Sequence, residues 1–162
     1  MDWFDETMKC HEQTFPHECR LSSLPEVWQR ELAALWRLEA DVNNGAYLQF
    51  LGNWGRESYT YASQALKKIG ALRMSEIIET CQSLVDEYIN SETASREQLQ
   101  ALMPNPVIGP DGQIIEPTAS VLPEPVLQRI YDLSDELMDY PDDLPQLGRD
   151  YYRQYLERED SR

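Results

Sequence analysis

Leu24-Pro25-Glu26-Val27-Trp28-Gln29-Arg30-Glu31-Leu32-Ala33-Ala34-Leu35-Trp36-Arg37-Leu38-Glu39-Ala40-Asp41-Val42-Asn43-Asn44-Gly45 is the stretch that decides the fold class. Leu24, Trp28, Leu32, Leu35 and Val42 recur at steps of three, four and seven, the period of one helical face. Ser23 precedes the run, and Pro25 falls in its first turn, where a missing amide costs nothing. Asn43-Asn44-Gly45 predicts the stop, because Asn and Gly tolerate left-handed backbone.

The same period continues toward the C-terminus. Ala46-Tyr47-Leu48-Gln49-Phe50-Leu51 forms a short segment before Gly52-Asn53-Trp54-Gly55 breaks the chain. Tyr59, Ala62, Ala65, Leu66 and Ile69 then mark a helix that stops at Gly70. Another is predicted over 72–90, with Met74, Ile77, Ile78, Cys81, Leu84, Val85 and Tyr88 as its stripe. Ser95 and Gln98 have capping-box spacing for a short helix through Leu102. Pro104, Pro106, Pro110, Pro117, Pro123 and Pro125 exclude helix over 103–123. Within that segment Val107-Ile108 and Ile114-Ile115 flank Pro110-Asp111-Gly112, the pattern of a small β-hairpin or an extended loop. Two helices close the chain. One carries Val126, Leu127, Ile130, Leu133, Leu137 and Met138; the other is capped by Asp143 with Gln146 and carries Leu147, Tyr151, Tyr155 and Leu156. The expectation is a mainly all-α single domain over 23–160. It is a bundle of about five to seven helices with a Pro-rich loop at 103–123, preceded by an irregular N-terminal arm at 1–22.

Composition narrows the function. Asp and Glu number 29 against 14 Lys and Arg, a formal charge of −15 on 162 residues. The acids are spread along segments that also carry apolar periodicity, so they decorate a folded surface. A hydrophobic fraction of 41% is too high for a disordered acidic tail. The sign argues against direct binding of nucleic acid or anionic membranes. No apolar run approaches the roughly 18 residues that span a bilayer. The first residues are acidic where a secretory signal is basic. Three cysteines form no disulfide framework and suit a reducing compartment. These features together predict a soluble, cytoplasmic protein.

The strongest local feature is a line of carboxylates. Asp132, Asp135, Glu136 and Asp139 fall at steps of three and four, and Asp142 and Asp143 extend them into the next turn. No Lys or Arg lies between Arg129 and Arg149 to neutralise them. Like charges at this spacing cost an isolated helix a few tenths of a kcal/mol per pair, which a cationic partner would return. Glu76, Glu79, Asp86 and Glu87 make a second line opposite the Ile/Cys/Leu stripe. Either line is also what the solvated face of an acidic helix looks like. Cys10, His11, His17 and Cys19 are zinc-type ligands, but their spacing does not match paired-ligand patterns, and no metal is expected. A phosphate-binding Gly loop, a nucleophile elbow and a His-Glu zinc motif are all missing, so no enzyme is expected.

The segment 35–50, with its Asn43-Asn44-Gly45 turn and Tyr47-Leu48-Gln49-Phe50, resembles a family of acidic helical bacterial domains of unknown function. So do Ala65-Leu66-Lys67-Lys68-Ile69-Gly70-Ala71 and the ending Asp135-Glu136-Leu137 with Tyr140-Pro141-Asp142-Asp143-Leu144. The family includes a DNA-mimic protein that binds a transcriptional regulator. The resemblance covers about 24–102 and 124–158. It implies an all-α fold, no cofactor, room for a homodimer, and a member that copies the charge of DNA. The expected partner is a basic protein, foremost a DNA-binding one. Two readings stay beside it: an immunity protein or antitoxin that neutralises a basic toxin such as a nuclease, and a helical module whose acidity only keeps it in solution.

Overall fold

Pro25 decides where the central helix begins. A proline disfavours helical backbone in the residue before it, and Leu24 is accordingly extended (φ −78°, ψ 133°). In the computed structural model, which describes residues 2–104, 106–117, 120–159 and 161, the helix starts past the proline and runs Val27–Asn44 (α2). The Gln29 side chain accepts the Glu26 amide at 3.2 Å and closes its first turn. Leu21–Ser23, ahead of it, is a 3-10 turn.

The arm at 1–22, expected to be irregular with at most a short helix, contains one. Trp3–Glu12 form a helix, α1, capped by Asp2, whose carboxylate accepts the Phe4 amide at 2.9 Å. Its buried face is Trp3, Thr7, Cys10 and His11. Two of those four residues are polar, which conceals the period. Thr7 satisfies its hydroxyl on the Trp3 and Phe4 carbonyls. A second 3-10 turn, Phe15–His17, leads on toward α2.

Tyr47–Ile69 (α3) follows α2 almost at once. The expected break is a single residue: Gly55 (φ 73°, ψ −171°) interrupts the helix while residues on both sides stay helical. Only glycine takes that backbone without strain. The predicted helix at 72–90 ends earlier, as Leu72–Asp86 (α4), and leaves Tyr88 exposed beyond it. Ser95 and Gln98 cap each other reciprocally and open Arg96–Gln100 (α5). In the Pro-rich segment Pro106–Ile108 (β1) and Ile114–Pro117 (β2) pair antiparallel, with Val107 opposite Ile115 and Ile108 opposite Ile114. Glu124–Met138 (α6) and Leu144–Glu159 (α7) complete seven α-helices among the described residues. Residue 160, the expected domain end, residue 1 of the arm, and residues 105, 118 and 119 of the Pro-rich segment lie outside the described residues.

The core is one cluster in which α2 packs on α1, α3 and α6. Leu32, Leu35, Leu38 and Val42 supply its apolar contacts. The polar residues of α2 tie it to its neighbours. Glu31 is buried and takes the Lys68 ammonium of α3 and, at 2.9 Å, the Tyr152 hydroxyl of α7. Glu39 accepts the Trp3 indole N–H of α1 and the Tyr140 hydroxyl, both at 3.1 Å. Asp41 accepts Trp54 Nε1 at 2.5 Å and Asn53 Nδ2 at 3.2 Å. Arg37 is 1% exposed. Its guanidinium donates to His11 Nδ1 (3.1 Å), Ser58 Oγ (3.0 Å), Thr14 Oγ1 (3.2 Å) and the Cys19 carbonyl (2.7 Å), and lies 4.2 Å from the Trp54 ring centroid.

Trp3 anchors α1 because α7 has no side chain where the indole lies. A Cβ on Gly148 would come within 2.2 Å of its ring carbons. Gly148→Ala is therefore expected to cost about 1–3 kcal/mol, the range for overpacking. Trp3→Ala should cost about 3–5 kcal/mol. Because the clash needs the indole, the double variant should be scarcely less stable than Trp3→Ala alone. Urea unfolding of the four proteins checks this, and strict additivity would contradict the packing.

Candidate protein-binding surface

On α6 the core face is Ile130, Leu133, Ser134 and Leu137. At 100° per residue the opposite face is Gln128, Asp132, Asp135 and Asp139, and all four are exposed. Among the described residues Asp132 accepts only the Gln128 amide, at 2.9 Å, one turn away. Along α6 the three carboxylates are separated by about 4.5 Å and 6 Å of rise.

The other members of the first line are engaged by hydrogen bonds. Glu136 accepts Arg73 Nε at 2.5 Å and Nη2 at 2.6 Å, a two-point bond between α6 and α4. The Arg73 hydrogen bonds hold the Glu136 carboxyl below its ordinary pKa, and the two carboxylates on Arg73 hold the guanidinium above its own. Asp142 accepts the Met74 amide at 2.8 Å and so serves the first turn of α4, where Ala71 has no side-chain acceptor to offer. Asp143 accepts the Gln146 amide at 3.2 Å and caps α7, as its spacing predicted.

The second line divides in the same way. Glu76 takes Arg73 Nη1 at 2.8 Å, so the two acidic lines meet at one guanidinium. Glu79 pairs with Lys67 and accepts Ser63 Oγ at 3.1 Å, and the Lys67 hydrogen bond lowers its pKa. Asp86 binds Arg56 at 3.1 Å and Ser91 Oγ at 2.7 Å. Glu87 is exposed at the end of α4. Asp132, Asp135, Asp139 and Glu87 are thus exposed and have no cationic partner among the described residues, whereas Glu136, Asp142, Glu79 and Asp86 bond to other elements, and Glu76 and Asp143, exposed as well, bond within α4 and at the start of α7.

The cysteines and histidines of the arm are dispersed by function in the fold. His11 is buried, stacked on Trp36 (centroids 4.2 Å apart), and its Nδ1 accepts from Arg37. Cys10 is buried with its thiol pushed up to about 12, chiefly by desolvation. His17 is exposed. Among the described residues no three His, Cys, Asp or Glu side chains converge as metal ligands.

Two surface features had no sequence signal. Phe4 and Phe15 are more than half exposed and continue an aromatic ridge through Trp36 and His11. A groove of about 240 Å³ lies between the end of α2 and the flank of α6 that carries Tyr131, Asp135 and Met138. Both form from residues distant in sequence, and only the isolated phenylalanines of the arm could have hinted at the first.

Sequence comparison places the molecule. The family model of DMP19-like proteins matches residues 22–159, and the chain belongs to that family. This is a DNA-mimic family, the kind to which the Asn-Gly turn and the closing acidic helices pointed. Comparison with curated proteins and with solved structures gave no match. Among the described residues no helix is long and apolar enough to cross a membrane.

Engaged and outward carboxylates should respond differently to substitution. Asp142→Ala is expected to cost about 1 kcal/mol, as cap removal does, whereas Asp135→Asn should stay within about 0.5 kcal/mol of wild type; urea midpoints measure both. A second test uses His11, whose pKa burial and then Arg37 lower to about 4. The unfolded imidazole takes its proton near 6.5, so the unfolded state binds more protons between about pH 6.5 and 4. The His11 contribution is complete above that window and is lost through it as pH falls, by up to about 1.4 kcal/mol per pH unit. Burial raises the pKa of Glu39 and Asp41, which act in the opposite sense. Stability measured at intervals from pH 7 to 4 should therefore fall less steeply in His11→Gln than in wild type.

Proposed function

We propose that this protein is an acidic protein-binding module that occupies the basic site of a DNA-binding protein, a transcriptional regulator foremost, and competes there with DNA. The observation that carries the reading is the outward row Asp132, Asp135 and Asp139. These carboxylates stand on a helix and its C-cap held to α4 by the Glu136–Arg73 bond, and among the described residues no ion pair engages them. Duplex DNA offers its binders regularly spaced negative charge and a releasable counterion atmosphere. Side-chain carboxylates on a stiff helix offer a Lys/Arg surface the same charge, with charge-assisted hydrogen bonds in place of those to phosphate. Membership of a DNA-mimic family supports this reading. The mechanism is displacement without chemistry, and no cofactor is invoked.

A second reading, an immunity protein covering a basic toxin, draws on the exposed Phe4 and Phe15 beside Trp36. Tight protein–protein interfaces have an aromatic core, which DNA cannot copy. The two readings separate on a column of immobilised protein exposed to host lysate. Mimicry predicts a basic DNA-binding protein released both by rising salt and by duplex DNA. Immunity predicts one small partner retained through high salt and indifferent to DNA.

For the mimicry reading, Asp132→Asn/Asp135→Asn/Asp139→Asn should weaken binding of the captured partner. It should also flatten the dependence of log K on log salt by roughly one unit per carboxylate. If the triple variant keeps both the affinity and the slope, this surface does not bind the partner.

A further inference from the structure

The groove beside Asp135 is the part of the acidic surface with shape as well as charge. It measures about 240 Å³ and is lined by Val42, Asn44, Ala46, Tyr131, Asp135 and Met138 among others, with no Lys, Arg or His. One end is the C-terminus of α2. The last backbone bonds there run from the Gly45 (2.9 Å) and Ala46 (3.5 Å) amides to the Asp41 carbonyl, and the carbonyls of Asn43 and Asn44 have no backbone donor among the described residues. A helix C-terminus carries about half a negative charge, and no basic residue occupies the last turn of α2 to offset it. Asp135, on the α6 side, adds a full charge and belongs also to the outward row.

We propose that this groove receives one arginine side chain of the basic partner and is the specificity pocket of the acidic surface. The inference rests on the charge-replacement reading above and names the residue type that the surface selects. Arginine is argued from the lining. Val42 and Met138 offer apolar contact for its methylene stem. The Tyr131 ring offers a face for a planar guanidinium. Asp135 and the free carbonyls of α2 accept its N–H groups, which diverge in a fixed fork. A lysine ammonium would gain the charge but neither the stacking nor the fork. The row on α6 then attracts cations of either kind, and the groove distinguishes between them.

The test uses two fluorescein-labelled peptides, nona-arginine and nona-lysine, with anisotropy as the readout at about 50 mM salt and above. Wild type should prefer nona-arginine. Tyr131→Leu removes the ring face, and Asn44→Lys places the protein's own cation at the groove. Each should lower nona-arginine affinity by about fivefold and draw it toward that of nona-lysine. Asp132→Asn, on the row but outside the groove, should weaken both peptides alike, and unchanged urea midpoints confirm that the variants are folded. An arginine-to-lysine ratio that Tyr131→Leu and Asn44→Lys leave intact would overturn the pocket, while the row could still be shown by Asp132→Asn. Failure of both peptides to bind at the lower salt would overturn the charge-replacement reading itself, and the pocket with it.

Discussion

The guanidinium of Arg37 is the constraint on which the rest of the molecule depends. A cation taken out of water must be met by acceptors or it destabilises the fold by several kcal/mol. Here burial lowers its pKa only to about 10, so it stays charged at neutral pH. Its acceptors come from α1, the turn that follows α1, the chain near Cys19 and the second half of α3. Trp54, on the first half of α3, closes the cage from above and sends its indole N–H to Asp41 one turn along α2. Satisfying one charge thereby sets the positions of α1 and of both halves of α3 against α2. It also explains the neutral His11: a protonated imidazole could not accept from Arg37, so the ring is kept as a base by the bond it makes.

The same economy governs the acidic surface. A row of carboxylates repels itself, and a mobile row would relax by spreading. α6 resists this because Glu136 and Asp142, from within the acidic run, are spent on Arg73 and on the first turn of α4. Bonding these two acids to α4 holds the remaining ones in place. Preorganised charge of this kind gains more per contact than flexible charge does, because little ordering is left to be done on binding.

Much of this was legible in the residues, and the exceptions have physical causes. Asn43-Asn44-Gly45, the Ser95/Gln98 box and the Asp143 cap act locally, and each lies where its spacing put it. The helix at 47–54 was hidden because Gly52 and Gly55 both signal a break, whereas only Gly55 leaves helical backbone. α1 was hidden because Thr7 and His11 are polar by identity yet buried through hydrogen bonds. Helical spacing placed Asp132, Asp135 and Asp139 on one face. It could not separate them from Glu136, Asp142, Glu79 or Asp86, since Arg73, the Met74 amide, Lys67 and Arg56 lie on other elements. Which carboxylates are spent is decided by tertiary neighbours that no local period encodes.

The hairpin stands apart from these dependencies. Ser120 Oγ donates to the Leu102 carbonyl at 2.6 Å, and both Leu102 and Leu122 are buried, so the segment leaves and rejoins the bundle at nearly the same point. A loop whose ends meet can change length at a cost that grows only with the logarithm of its residues. The chain between those anchors is a cassette: evolution could lengthen it, replace it or delete it without renegotiating the core. A protein built in this way can vary that segment while the helices keep one acidic scaffold.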